Sequence, residues 1–299
     1  MKQLKSVAIL IFFIFSTIFS DFPSRHSLEF SLLAYRFSYS EEFEKQSIPN
    51  IIIKGTPRSD EYGLTAGSEI GYKYYNPENK LSFGAKFNYS RSVNHTYDGS
   101  SQGEILFQTT DPSKKLDTCL IYWPVKIENK DNYFHGENLE IGYSAIANSN
   151  VNFKLYTDVA FNGWIRPIGL NISEKYYWLR INPGISVVTK NSQGLGVISE
   201  LSFSIPVWET MILPIQNFKF KFDIDGKVGW RFEFGFIKYL VQNRAWKVLY
   251  FHEYYGFKQS PDIYLGYDDS GNKVYAHEPS SGTSDNGVKI SFEFGFGGK

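Results

Sequence analysis

Asn94-His95-Thr96-Tyr97-Asp98 is the first stretch whose residue types suit acid–base work, with an imidazole three positions before a carboxylate. A hydrolase would also need a hydroxyl or thiol nucleophile within reach of that imidazole. Tyr97 stands two residues on, where a serine would serve, so acyl transfer is not expected there. His252-Glu253 is a second local pair, but neighbours in a strand face opposite sides of a sheet and do not cooperate directly. His135 and His277 fall in expected loops with no partner fixed by sequence. Cys119 is alone, which excludes an intrachain disulfide and a Cys/His metal cluster. Asp268-Asp269-Ser270-Gly271-Asn272 has the residue types of a calcium loop but lacks the spaced carboxylates and closing Glu, and reads as a turn. No catalytic residue, cofactor or metal is therefore expected.

Most charged residues of interest occupy every second position of long runs. In FKFKFDIDGKVGWRFEFGF, residues 218–236, the even positions are apolar, aromatic or glycine, and the odd ones include Lys219, Lys221, Asp223, Asp225, Lys227, Arg231 and Glu233. The same alternation sets Glu69, Lys73, Lys86, Glu140, Lys154, Asp158, Arg180 and Glu200 opposite apolar faces, together with Lys289 and Glu293. Such a set suits the lining of a narrow interior. Isolated buried charges are costly, so the residues either pair into an ion-pair network or border a water-filled path and set its selectivity. Their near balance of sign argues against a strongly ion-selective pore.

The elements that must carry these residues follow from the same period. Leu33, Tyr35, Phe37 and Tyr39 alternate with small and polar residues, as do Leu64, Ala66, Ile70 and Tyr72, and Leu81, Phe83, Ala85, Phe87 and Tyr89. Similar runs start near residues 139, 151, 177, 195, 246 and 288, and helical spacing dominates no long window, so the chain is all-β. Short, turn-rich connections are expected near 76–80, 148–150, 190–194 and 240–244, and longer polar ones near 41–60, 94–135, 163–174, 207–216 and 258–286. Ten antiparallel strands is the simplest count. Twelve is the alternative, with extra hairpins in 104–128 and 263–276. Residues 218–236 are expected to form one long strand that extends beyond the bilayer, its even face on lipid and its odd face on the lumen, since a two-residue turn at Asp225-Gly226 would split the apolar residues between faces.

Composition agrees with this arrangement. Aromatics make up 18% of the chain, yet beyond the N-terminus no run approaches the ~20 apolar residues of a spanning helix. MKQLK followed by the uncharged run VAILIFFIFSTIF marks residues 1–20 as an expected signal peptide, leaving 21–299 as a single domain. Without Lys2 and Lys5, 29 basic side chains face 31 acidic ones, which offers no electrostatic grip on nucleic acid.

With its leader, amphipathic strands, alternating short and long connections and aromatic last strand, the chain over roughly residues 27–297 resembles Gram-negative outer-membrane β-barrel proteins. The resemblance implies an outer-membrane location, lipid around the barrel and contact with the insertion machinery, which reads alternating C-terminal aromatics. Phe292, Phe294 and Phe296 match that signal, and Gly297-Gly298-Lys299 then depart from it. Trp164, Trp178, Trp246 and Tyr74 are expected as interfacial anchors. Outer-membrane phospholipase A has a His-x-Ser pair supported by Asn, which Tyr97 does not match. Omptin-type proteases use Asp/His pairs at the outer rim, for which His95 with Asp98 and His252 with Glu253 are the local candidates. The expected function is a non-enzymatic small-solute channel or envelope structural protein. The alternatives are a barrel enzyme acting on lipid or peptide at the outer surface, testable at His95, Asp98 and His252, and a surface-binding protein using the loops at 94–135 and 258–286. A soluble β-sandwich is the alternative fold. The sequence does not set the oligomeric state.

Overall fold

The computed structural model describes residues 25–42, 51–54, 58–98, 101–107, 117–123, 126–169, 172–215, 218–240, 243–267 and 273–296. The expected signal peptide and the 268–272 turn lie outside these. Ten strands form the barrel wall: β1 (His26–Glu42), β2 (Arg58–Asn76), β3 (Leu81–Ser92), β4 (Tyr133–Ala147), β5 (Val151–Gly169), β6 (Ile172–Thr189), β7 (Leu195–Ile215), β8 (Gly226–Tyr239), β9 (Arg244–Phe257) and β10 (Ser280–Phe296). Each pairs antiparallel with its sequence neighbours, and β1 closes the ring by pairing with both β10 and β2. Closure satisfies every wall strand on both edges, which a spanning sheet in lipid requires. The extra hairpins weighed for twelve strands stand outside the wall. Residues 101–107 and 117–123 form a three-stranded sheet with 51–54, and Ile263–Tyr267 pairs with Lys273–Ala276.

Side-chain chemistry sets the tight turns at one end. Asn148 Oδ1 accepts from the amides of Asn150 (2.9 Å) and Val151 (2.8 Å), and Asn191 Oδ1 accepts from Gln193 (3.0 Å) and Leu195 (2.9 Å). Gly194 follows at φ +74°, a backbone region that glycine enters at no steric cost. At the other end the strands run further than expected. Residues 163–169, 172–174 and 207–215 are strand, not loop. A 21-residue strand such as β7, at ~3.3 Å per residue and tilted ~40°, stands roughly 50 Å tall, about twice the ~25 Å apolar band of an outer-membrane barrel.

The wall therefore crosses two media, and its chemistry inverts between them. In the lower half apolar residues point outward: Leu32, Ile70, Phe83, Leu139, Leu155, Ile181 and Ile290 are all exposed. In the upper half the interior is apolar, with Tyr35, Phe37, Tyr39, Phe134, Trp164, Tyr176, Trp178, Tyr255 and Phe257 buried in one cluster. β1 makes the change without altering its pleat. Its odd positions face inward throughout, as Ser27, Glu29 and Ser31 below and Tyr35, Phe37 and Tyr39 above. The expectation that Leu33–Tyr39 face lipid is thus reversed, because above the bilayer the outer medium is water. Trp164 and Trp178 are likewise interior, not interfacial anchors.

The β7–β8 pair solves the same problem by another route. Residues 218–223 continue β8 upward and pair with β7 in the register that β8 itself uses, from Ile215↔Phe218 through Thr210↔Asp223 to Ser204↔Gly229 and Leu195↔Lys238. The whole run is one strand direction, as expected. Yet β7 carries one extra residue against β6 between Pro206 and Trp208, and β8 carries one against β9 between Lys227 and Trp230. A one-residue insertion swaps the faces of a strand. Below these bulges Glu233, Gly235 and Ile237 are buried; above them Phe222 and Ile224 are buried and Lys219, Lys221, Asp223 and Asp225 are exposed. Gly226 sits at the crossover, where a Cβ would lie 2.3–2.4 Å from Glu209 and Pro206.

Candidate functional site

The barrel interior is built in layers. The lowest joins four strands: Glu29 of β1 accepts from Lys247 of β9 at 2.7 Å and Lys73 of β2 at 3.4 Å, and Lys247 also reaches Glu293 of β10 at 2.6 Å. The next layer runs Glu69–Lys289–Glu233–Arg231–Glu253, at 3.8, 3.1, 2.5 and 3.4 Å. On the opposite wall Lys154 pairs with Glu140 at 2.7 Å, Asn182 donates to Asp158 at 2.6 Å, and Ser186 donates to Glu200 at 3.0 Å. Alternation delivers all these groups inward because their strand neighbours face lipid.

Above them lies a cavity of about 140 Å³, with Tyr35, Phe134, Trp178, Phe251 and Tyr255 among its lining residues. Of the residues picked out in the sequence, Glu69, Lys86, Glu140, Asp158, Arg180, Glu200, Arg231 and Glu233 line this cavity. Lys73 borders a smaller pocket shared with Lys86, Glu140 and Asp158. Lys219, Lys221, Asp223 and Asp225 do not join them, because the paired bulges turn that segment's odd face outward. Lys221 instead pairs with Asp223 at 2.7 Å on the exposed side. Glu29, Lys247, Glu253 and Asp285 were missed as interior residues. For Lys247 and Glu253 the signal was present: with Trp246, Val248 and Tyr250 outward, the odd positions of β9 must face in.

Near the outer mouth, Arg166 of β5 is the hub. Its guanidinium donates to Glu41 at 2.5 Å, Glu174 at 2.9 Å and Glu61 at 3.0 Å, and packs over the rings of Tyr39 and Trp164. Arg180 pairs with Glu209 at 2.6 Å nearby. This hub was not legible in sequence because its members lie in segments whose polarity reads as loop.

His95 is fully buried beside the hub. Its Nε2 lies 2.7 Å from Thr65 Oγ1, and its Nδ1 lies 2.7 Å from Asn132 Nδ2 and 3.5 Å from Glu61. A hydroxyl, an imidazole and a carboxylate in a row resemble a nucleophilic triad, but the protons run the wrong way. Trp164 Nε1, a donor only, donates to Asn132 Oδ1 at 3.2 Å, so Nδ2 of Asn132 must donate to His95 Nδ1. The imidazole proton then sits on Nε2 and is given to Thr65, whereas a general base must accept the proton of its nucleophile. With Phe37 stacked on the imidazole at 5.0 Å and no exposed edge, the arrangement braces β1, β2 and β5. His252 and Glu253 face opposite ways, as strand geometry requires: His252 packs on Trp230 and bonds Asn286, while Glu253 reaches Arg231.

No family model matches the chain, and no curated protein matches it in sequence. Among solved structures it is similar to the outer membrane protease OmpT from Escherichia coli, with 12% identity, 94% of this chain and 100% of that chain covered, and a TM-score of 0.58. The Pseudomonas putida toluene transporter TodX aligns at a TM-score of 0.33, with 9% identity over 92% of this chain and 90% of that chain. The chain has the closed ten-strand antiparallel fold of outer-membrane β-barrels.

Proposed function

We propose that the chain resides in a Gram-negative outer membrane as a closed barrel, an envelope protein that anchors a rigid outer platform and does not conduct small solutes. The stack of paired charges carries this reading. The layers around Glu29 and around Glu233 each tie several strands together across the interior, and the aromatic cluster fills the upper lumen. Isolated charges in such a space would be held apart by water; these are within 2.5–3.8 Å of their partners. Purified protein folded into a planar bilayer is expected to stay electrically silent across voltage and salt. Discrete conductance steps from the wild type would sink the closed-barrel reading and favour the solute channel.

One observation favours a second reading, peptide hydrolysis at the outer rim. Asp262 and His277, from two arms of the loop before β10, meet at 2.9 Å, and the OmpT barrel is a protease. On this reading the folded protein cleaves members of a fluorogenic peptide pool, and His277→Ala abolishes cleavage. Absence of turnover in the wild type, or turnover unchanged in the variant, counts against it.

A further inference from the structure

Three buried side-chain atoms on the lining of the interior cavity have no hydrogen-bond partner among the described residues: Arg180 Nε and Asn182 Oδ1 on β6, and Asp285 Oδ1 on β10. Arg180 is only 2% exposed, and its terminal nitrogens are already engaged. Nη2 donates to Glu209 at 2.6 Å and to the Gly256 carbonyl at 3.3 Å, and Nη1 donates to Ser204 at 3.5 Å. Asn182 gives an amide hydrogen to Asp158 at 2.6 Å, which leaves its carbonyl oxygen free. Leaving a buried donor or acceptor unmatched is costly. The chemistry that would match all three is two donated hydrogens and one acceptor.

Charge at the cavity points the same way. Of the lining carboxylates, Glu69 and Glu233 pair with Lys289, Glu253 with Arg231 and Glu140 with Lys154. Asp158 and Glu200 are served only by the neutral Asn182 and Ser186, and Asp285 has no cation at ion-pair distance among the described residues. Against these three stands one lining cation without a carboxylate partner, Lys86, so negative charge is in excess. Asp285 also lies directly opposite Glu253 in the β9–β10 register, with both side chains on the cavity. Like charges placed so are unfavourable unless a cation sits between them.

We propose that this cavity is a binding site for a small organic ammonium that also carries a hydroxyl, a short amino alcohol. The ammonium donates to Asp285 and Asn182, and the hydroxyl oxygen accepts from Arg180 Nε. Tyr35, Phe134, Trp178, Phe251 and Tyr255 give its carbon atoms an apolar wall. Among the described residues no three His, Cys, Asp or Glu side chains come together as metal donors, so the excess charge suits an organic cation. The cavity, about 140 Å³, is close in size to an engineered one of ~150 Å³ that holds benzene, so the occupant has no more than about six non-hydrogen atoms. The site stands apart from the closed-barrel reading: conductance steps would sink that reading and leave ligand binding untouched.

Equilibrium urea unfolding of the full-length barrel tests it, in a nonionic detergent that brings no amine of its own. Three probes of equal size are compared: ethanolamine, propylamine, which lacks the hydroxyl, and ethylene glycol, which lacks the ammonium. A ligand that binds only the folded state lowers the unfolding constant about tenfold for each tenfold rise in concentration above its dissociation constant. Ethanolamine is expected to show that dependence in the millimolar range, propylamine a weaker shift at the same concentration, and ethylene glycol none. Asp285→Asn is expected to abolish the ethanolamine shift, with heat-dependent gel mobility confirming that the variant forms the barrel. Should that variant not fold, the three probes on the wild type decide the question alone. Absence of an ethanolamine effect on the wild type, an equal effect of either other probe, or a full shift in folded Asp285→Asn overturns the site.

Discussion

Replacing Arg166 by alanine is expected to destabilise the barrel by about 3–5 kcal/mol, the cost of removing one partner from a buried ion pair. The guanidinium serves Glu41, Glu61 and Glu174 at 2.5–3.0 Å; Glu41 and Glu61 are buried away from bulk water, and Glu174 is partly exposed. The variant leaves those carboxylates facing one another among aromatic rings. The size of the effect comes less from the lost attraction than from the stranded charge. Urea unfolding in lipid vesicles, followed by tryptophan fluorescence, reads it directly, since Trp164 packs on the same hub. Arg91, whose pair with Asp131 at 2.9 Å is half-exposed, is the control, and its alanine variant should unfold with the wild type. Equal midpoints for the two variants would show that the hub is solvated and contributes little.

The second large effect is expected at Phe222. Phe222→Ala should cost about 3–5 kcal/mol, as for a buried aromatic truncated in a packed core. Lys221→Ala, one residue away, should cost almost nothing. Phe222 is 3% exposed within the aromatic cluster, and the Lys221 side chain is 55% exposed. A strand with one unbroken parity from Phe218 to Phe236 predicts the opposite character for this pair, with Phe222 on the outer surface and Lys221 inside. The same unfolding measurement ranks them, and a larger loss at Lys221 would restore the unbroken strand.

Both predictions concern the upper half of the wall, where sequence reading was weakest. In the lower half, alternation identified most interior charges. Glu69, Lys86, Asp158, Arg231 and Glu233 share a cavity lining because each sits one residue from a lipid-facing apolar neighbour. Above the bilayer that inference fails, because water replaces lipid outside and the apolar side must turn inward. β1 meets the change by exchanging its chemistry between faces, so Tyr35, Phe37 and Tyr39 look like a lipid-facing run when only their spacing is read. The run 218–236 keeps its apolar positions even, and the β7–β8 pair shifts the pleat with two bulges. Nothing local in FKFKFDIDGKVGW marks the level at which the outer medium changes.

The same limit applies to the hub and the histidine. Glu41, Glu61, His95, Asn132, Arg166 and Glu174 are scattered along the chain, in stretches whose polarity suggests loops. Ring closure brings them together by placing β1, β2, β5 and β6 around one mouth. The proton arrangement that disqualifies His95 as a base rests on Trp164 and Asn132, which are partners in space only.

Period-two patterning and asparagine-centred turns thus pointed to an antiparallel barrel with ten strands as the simplest count, to its tight-turn end and to most of the interior charges within the lipid band. Tertiary structure decided where the wall leaves lipid, which faces then exchange roles, and which carboxylates share Arg166. Pleat and turn are consequences of neighbouring residues. Facing lipid or water, and pairing across a lumen, are consequences of the closed ring.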